Sequence, residues 1–224
     1  YEKVVHLWDQ RSASVVAKLT TGRTNSDICW SASGKHLAVA SREEGIEIFD
    51  VAQPQSAVVS ADVDGTINSV KWSADGSLLL LCTHVGTVEV FAWPSMEHLT
   101  AIPAHAASCN TVGVDPRGRL FATGGADATM ELWNADDFSL AHTIDGYDSP
   151  LLFAGFSMDG RFVASASDDP EIKIHDTFAG ELVHRLKLDA LTTAMAWHPR
   201  NLAFAYGSSG STKSSAKPSL TIFL

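Results

Sequence analysis

The 224 residues carry 45% hydrophobic and 19% charged side chains, a globular rather than a disordered balance, and the length suits one substantial core in a single domain. Acidic residues outnumber basic ones 26 to 16, giving a formal net charge of −10 that opposes a stand-alone grip on nucleic-acid phosphates. The apolar run Leu78–Cys82 falls far short of the roughly 18 residues a membrane-spanning helix needs, so no membrane role is expected.

Taken along the chain, two strings recur. The first closes a strand with a turn: Trp30-Ser31-Ala32-Ser33-Gly34, Trp72-Ser73-Ala74-Asp75-Gly76, Val114-Asp115-Pro116-Arg117-Gly118, Phe156-Ser157-Met158-Asp159-Gly160 and Trp197-His198-Pro199-Arg200-Asn201. Its leading residue returns after 42, 42, 42 and 41 residues. The second ends Leu7-Trp8-Asp9, Ile48-Phe49-Asp50, Val90-Phe91-Ala92, Leu132-Trp133-Asn134, Ile174-His175-Asp176 and Ile222-Phe223-Leu224, at gaps of 41, 42, 42, 42 and 48. A polar insertion over 208–217 accounts for the last gap. Two landmarks keeping one period mark a repeat architecture.

Within each repeat, Leu37–Ala40, Leu78–Leu81, Leu120–Thr123 and Phe162–Ala166 are short, apolar and small, as buried strands are. Ile46-Glu47-Ile48, Val88-Glu89-Val90, Met130-Glu131-Leu132 and Ile172-Lys173-Ile174 alternate with the charge in the middle, which predicts strands with one buried face. About four strands per repeat predict an all-β propeller with one blade per repeat.

The Trp8-Asp9 ending and the 42-residue period resemble the WD-repeat β-propellers. That resemblance implies a structural tetrad in the third full repeat: His105, Thr123, Asp127 and Trp133. The next repeat keeps Asp169 but has Tyr147 for the His and His175 for the Trp, while Glu43 and Val85 stand at the Asp position earlier; those blades are expected to lean on packing. Six third-strand endings represent six blades. The expectation is one propeller domain over 1–224, about five and a half blades of a ring of seven, with one blade and most of another preceding Tyr1.

A narrower resemblance follows. Asp27-Ile28-Cys29-Trp30-Ser31, Phe121–Ala128, Met158–Ser167 and Thr193–Pro199 followed by Leu202–Ala205 are similar to the WD-repeat subunits of THO complexes. It implies a non-enzymatic scaffold in the nucleus, in the TREX assembly that couples transcription to mRNA packaging and export. Its partners would be other protein subunits, with RNA reached only through the assembly. The alternative is a peptide-binding WD module of a chromatin complex or a ubiquitin-ligase receptor.

No candidate chemistry competes with the repeat. Gly207–Ser214 looks like a phosphate loop but has Thr212 where Gly must precede the Lys. None of the nine histidines pair at metal-binding spacing, and Asp168 and Asp169 as strand neighbours would point apart. Cys29, Cys82 and Cys109, at gaps of 53 and 27, form neither a disulfide framework nor a metal site and fit a reducing, intracellular compartment. No catalytic residue, cofactor, metal or small-molecule substrate is expected. The remaining candidate is a partner-binding acidic rim: Glu43, Glu44, Asp62, Asp64, Asp145, Asp148, Asp168, Asp169 and Asp189, in loops that a propeller brings to one face. Such a rim either steers basic segments or keeps the surface soluble.

Overall fold

The structure, a computed structural model, describes residues 3–208 and the backbone of 219–223. The polar insertion expected over 208–217 therefore lies, from residue 209 onward, outside the described residues.

Twenty-one strands form six antiparallel sheets, and no helix occurs among the described residues. The first sheet pairs β1 (Val4–Asp9) with β2 (Ser14–Thr20). The second runs β3 (Asn25–Trp30), β4 (His36–Ser41), β5 (Gly45–Asp50) and β6 (Ala57–Asp62). The third has β7 (Ile67–Trp72), β8 (Leu78–Thr83), β9 (Thr87–Ala92) and β10 (His98–Pro103). The fourth has β11 (Cys109–Val114), β12 (Leu120–Gly125), β13 (Met130–Asn134) and β14 (Leu140–Ile144). The fifth has β15 (Leu151–Phe156), β16 (Phe162–Ser167), β17 (Glu171–Asp176) and β18 (Leu182–Lys187). The sixth joins β19 (Thr192–Trp197), β20 (Phe204–Ser208) and β21 (Ser219–Phe223).

The repeat is visible in the backbone as well as in the sequence. The first strand of every sheet from the second onward carries a register shift near its start: Asn25/Asp27, Ile67/Ser69, Cys109/Thr111, Leu151/Phe153 and Thr192/Ala194. Bulges of this kind bend a strand and sharpen its twist, and here the bend recurs at the period of the sequence. The first hairpin of four sheets turns on a glycine in the left-handed region, at Gly34, Gly76, Gly118 and Gly160 with φ between 66° and 75°, which a side chain would strain.

First strands lie side by side in the order β3, β7, β11, β15, β19, so the sheets radiate from a shared centre as propeller blades do. Polar side chains tie this centre together. Asn68 Nδ2 donates to Cys109 O at 2.9 Å and Asn110 Nδ2 donates to Leu151 O at 3.0 Å, each reaching the next blade. Asp27 accepts from Ser69 Oγ and Val70 N at 3.0 Å and from Lys71 Nζ at 3.3 Å.

The core lies in the seams between blades. One apolar cluster unites Ala38, Ile46 and Ile48 with Val70, Trp72 and Leu79; the next unites Leu80, Val88 and Val90 with Val112, Phe121 and Trp133. Each fully buried Leu, Ile or Val contributes about 1.5–3 kcal/mol. Cys82 and Cys109 meet across the second of these seams with sulfurs 2.7 Å apart, a contact that their spacing in sequence does not reveal.

The second strands are buried as expected, β12 along its whole length. The third strands depart from expectation. Their charged middle residues do not face open solvent, because the loop leading into the blade or a side chain of the same blade covers that side. Lys173 is 4% exposed and donates to Gly146 O, and Glu89 accepts from the Thr87 hydroxyl beside the His98 ring. Glu47 accepts from Gly22 N. By contrast, β3 is open on its outer face: Ile28 and Trp30 are 45% and 47% exposed, whereas their counterparts Val70 and Trp72 are 0% and 5%.

Candidate functional site

The four tetrad residues of the fourth blade come from four places. His105 stands in the loop before β11, Thr123 lies in β12, Asp127 in the turn to β13, and Trp133 in β13. His105 Nδ1 is 3.0 Å from Asp127 Oδ1, and its Nε2 is 2.9 Å from Thr123 Oγ1. Trp133 Nε1 donates to Thr123 Oγ1 at 3.1 Å. Asp127 also accepts from Ala106 N at 3.0 Å and from the Thr129 hydroxyl at 2.8 Å.

One direction of donation satisfies the chain: Trp133 N–H to Thr123, the Thr123 hydroxyl to His105 Nε2, and His105 Nδ1–H to Asp127. Burial lowers the His105 pKa against the pull of Asp127, which keeps the ring neutral as this chain requires. Burial alone would raise the Asp127 carboxyl. The Thr129 hydroxyl, the His105 ring and the Ala106 amide together hold it below its usual value. The network carries no exposed nucleophile and no proton poised for transfer. Its physical effect is to pin the turn at Asp127 to the loop at His105, since each buried polar group left unpaired costs about 1–3 kcal/mol.

The fifth blade closes the same point with other side chains, which sequence reasoning read only as loss. Tyr147 Oη lies 2.6 Å from Ser165 Oγ, and Ser165 Oγ donates onward to Lys173 O at 3.4 Å. The Lys173 ammonium sits 4.2 Å from the Tyr147 ring centroid. Burial pushes the Tyr147 phenol up to about 12, so it stays a donor. Asp169 accepts from the Ser149 and Ser167 hydroxyls at 3.0 and 3.2 Å. The second and third blades place Val39 with Phe49 and Leu81 with Phe91 at the Thr and Trp positions, all buried.

The acidic residues fall into two groups. Glu43, Glu44, Asp62 and Asp64 are exposed around one depression, with Arg23 among them. Arg23 pairs with the Asp62 carboxylate and donates to the carbonyls of Glu43 and Glu44, so part of this charge is answered within the chain. Asp145, Asp148, Asp168 and Asp189 are exposed in later loops, and Asp169 is half-buried and bonded. These loops join second to third strands or one blade to the next, so antiparallel order brings them to one end of the blades. Among the described residues, no three His, Cys, Asp or Glu side chains are grouped to hold a metal ion. No helix there is long and apolar enough to cross a membrane.

Comparison with known proteins adds to this geometry. A family model described as Eukaryotic translation initiation factor eIF2A matches residues 46–194. THO complex subunit 3 of Arabidopsis thaliana is 32% identical over 205 residues, which is 92% of this chain and 65% of that protein. WD repeat-containing protein AAC3 of Dictyostelium discoideum is 25% identical over 227 residues, 99% of this chain and 47% of its own length. Protein TEX1 of Saccharomyces cerevisiae is 25% identical over 188 residues, 79% of this chain and 44% of its own. The chain thus spans just under two thirds of the first relative and less than half of the other two.

Proposed function

The chain belongs to the family described by that eIF2A model and, with it, to the WD-repeat β-propellers, and on that premise we propose that it is a non-enzymatic scaffold subunit of a THO complex. The carrying observation is the 32% identity to THO complex subunit 3, which runs over 92% of the chain rather than over one blade. A rigid disc of blades whose conspicuous polar residues are spent on holding loops together is suited to presenting faces to protein partners. In this reading the protein works in the nucleus in mRNA packaging and export, and RNA is held by other subunits, because a net charge of −10 disfavours phosphate. The acidic rim from Glu43 to Asp189 would steer basic segments of those subunits. The uncovered face of β3 would be closed by one further blade and most of another, preceding Tyr1, in a ring of seven.

The test is purification of the intact endogenous protein. Recovery at fixed stoichiometry with THO subunits is the expected result; recovery free of them overturns the assignment. Titration of the intact propeller against single-stranded RNA at physiological salt tests the second half, where submicromolar binding by the propeller alone would refute the indirect role.

A second reading, a peptide-binding module of another assembly, is favoured by one feature: a seam between two complete blades that the chain leaves unfilled.

A further inference from the structure

Successive blades meet along equivalent positions, and their seams are filled differently. Between the second and third blades, the turn after β9 delivers Trp93, whose ring stands edge-on to Trp72 at 5.2 Å and to His36 at 4.9 Å. Between the fourth and fifth, Arg119 lies 4.9 Å from the Phe178 ring centroid and donates to Gly160 O at 3.1 Å. His142 closes the same seam through a bond to Phe178 O at 2.8 Å.

The seam between the third and fourth blades has neither filling. One repeat of 42 residues along, Ala135 stands for Trp93, Val114 for Trp72 and Leu78 for His36. One repeat back, Ser77 stands for Arg119, Asp136 for Phe178 and Thr100 for His142. What these exchanges leave is a pocket of about 720 Å³ walled by Leu78, Val114, Phe121, Ala135 and Phe138, with Leu99 at its margin. Leu99 is 46% exposed although both adjoining blades have four strands, so no blade of the ring would cover it. Phe138 holds a left-handed backbone, φ 59°, at the position where the next blade has Gly180. The same left-handed turn recurs at Met96, φ 55°, one repeat back, and at Phe138 it sets an aromatic ring into the pocket wall. A second recess of about 420 Å³ shares Leu99 and Phe138.

We propose that this open seam is a docking site for a partner segment that inserts one aromatic side chain of tryptophan size, flanked by basic residues. The neighbouring seam supplies the argument for size, because there the chain's own Trp93 and Trp72 fill the equivalent space. Large aromatic anchors seated in preformed pockets are the usual source of interface affinity, and this volume lies in the range of such sites. The argument for charge is the border: Asp75 and Asp136 against Arg117 alone. Hydrogen bonds from the Ser73 hydroxyl and from Ser77 hold the Asp75 carboxyl below its usual pKa, so its charge is fixed. The site is independent of which assembly the protein serves.

The test uses the intact protein with labelled leucine methyls and three blocked tripeptides as probes: acetyl-Lys-Trp-Lys-amide, acetyl-Lys-Ala-Lys-amide and acetyl-Glu-Trp-Glu-amide. The first should give saturable shifts at Leu78 and Leu99, the second none, and the third should bind at least severalfold more weakly. Ala135→Trp supplies the indole from within, as Trp93 does, and should weaken binding at least tenfold without lowering the melting temperature. Leu99→Arg, at an exposed position, gives the same readout if that variant does not fold. Equal shifts from the Trp and Ala peptides, or binding unchanged in both variants, overturn the site. Equal binding of the Lys- and Glu-flanked peptides overturns its charge preference. Membership of a THO complex is decided separately by co-purification, so failure of either leaves the other standing.

Discussion

The fourth and fifth blades are copies 42 residues apart that join the same two loops by different chemistry. In the fourth, Trp133, Thr123, His105 and Asp127 form one donor chain that ends on an ionised carboxylate. In the fifth, Ser165 replaces Thr123, and the Tyr147 phenol bonds it where the His105 ring bonds Thr123. Lys173 then covers the Tyr147 ring. Asp169 is left to two serines, and His175 has a buried Nδ1 with no bonding partner. The blade tolerates loss of the Trp and His because the buried hydroxyl on its second strand still finds a donor. Where a blade buries a hydroxyl at that position, its satisfaction, rather than the identity of the four residues, is what matters, and Val39 and Leu81 avoid the need altogether.

The comparison breaks most visibly at its aromatic corner. Trp133 is buried, stacked on Phe121 at 6.1 Å and bonded to Thr123, so Trp133→Ala should cost about 3–5 kcal/mol. Asp127→Ala, which strands His105, Ala106 N and Thr129, should cost about 3 kcal/mol. His175→Ala removes a smaller group with an unpaired nitrogen and should cost about 1 kcal/mol. Urea melts with unchanged slope check the order. Equal losses at Trp133 and His175 would erase the distinction between the blades.

Next in size is the substitute bond. Tyr147→Phe keeps the packing but removes the donor to Ser165, and should cost about 1–1.5 kcal/mol. In a Ser165→Ala background the same change should cost much less, since the acceptor is gone. A double-mutant cycle showing no coupling would mean that Tyr147 acts by volume alone.

What the sequence showed and hid follows from where each signal comes from. The period placed the second and third strands, because Leu78–Leu81 and Val88–Val90 carry patterns that burial imposes. The outermost strands left no comparable mark: β18 is almost wholly exposed. Glu47, Glu89 and Lys173 read as solvent-facing because alternation in one strand cannot report the loop or outer strand that folds over its other side. Tyr147 and Ser165 read as departures, since their bond joins residues 18 apart in sequence. The exchange of Trp72 and Trp93 for Val114 and Ala135 was present in the aligned repeats, but only the structure shows that both positions face one seam.

Acid–base behaviour sharpens the comparison further. Burial, and then the nearby Asp127 charge, raise Glu131 from 4.5 to about 7. Between those values the folded state keeps a proton that the unfolded chain releases, so stability falls as pH rises through that window. Burial, then the charges of Lys173 and Arg185, lower His175 from 6.5 to about 4. There the unfolded chain takes a proton that the folded state refuses, so stability rises with pH from about 4 to 6.5. Glu131 is half-buried, which keeps its contribution to about 1 kcal/mol, and His175, which is buried, contributes more. The slopes oppose one another. Glu131→Gln should expose the rising limb, and His175→Phe the falling one, in melts between pH 4.5 and 7.5. A flat profile in both variants would contradict the two shifts.

The smallest stability effect belongs to the rim, where the blades differ in how their carboxylates are used. Asp127 is spent on its own blade, while Asp145, Asp148 and Asp168, beside the fifth blade, are exposed. Changing these three to Asn should move stability by less than ~0.5 kcal/mol, because exposed charges in water interact weakly. Their effect should appear instead in association. Removing three negative charges should slow the encounter with a lysine-rich peptide and flatten its salt dependence, because long-range attraction acts on the approach rather than on the docked contacts. Stopped-flow association between about 20 and 200 mM salt measures this directly, across the range where the screening length contracts. An unchanged rate and salt slope would show that the rim serves solubility alone, and the same variants would then lower the concentration at which the protein stays dispersed.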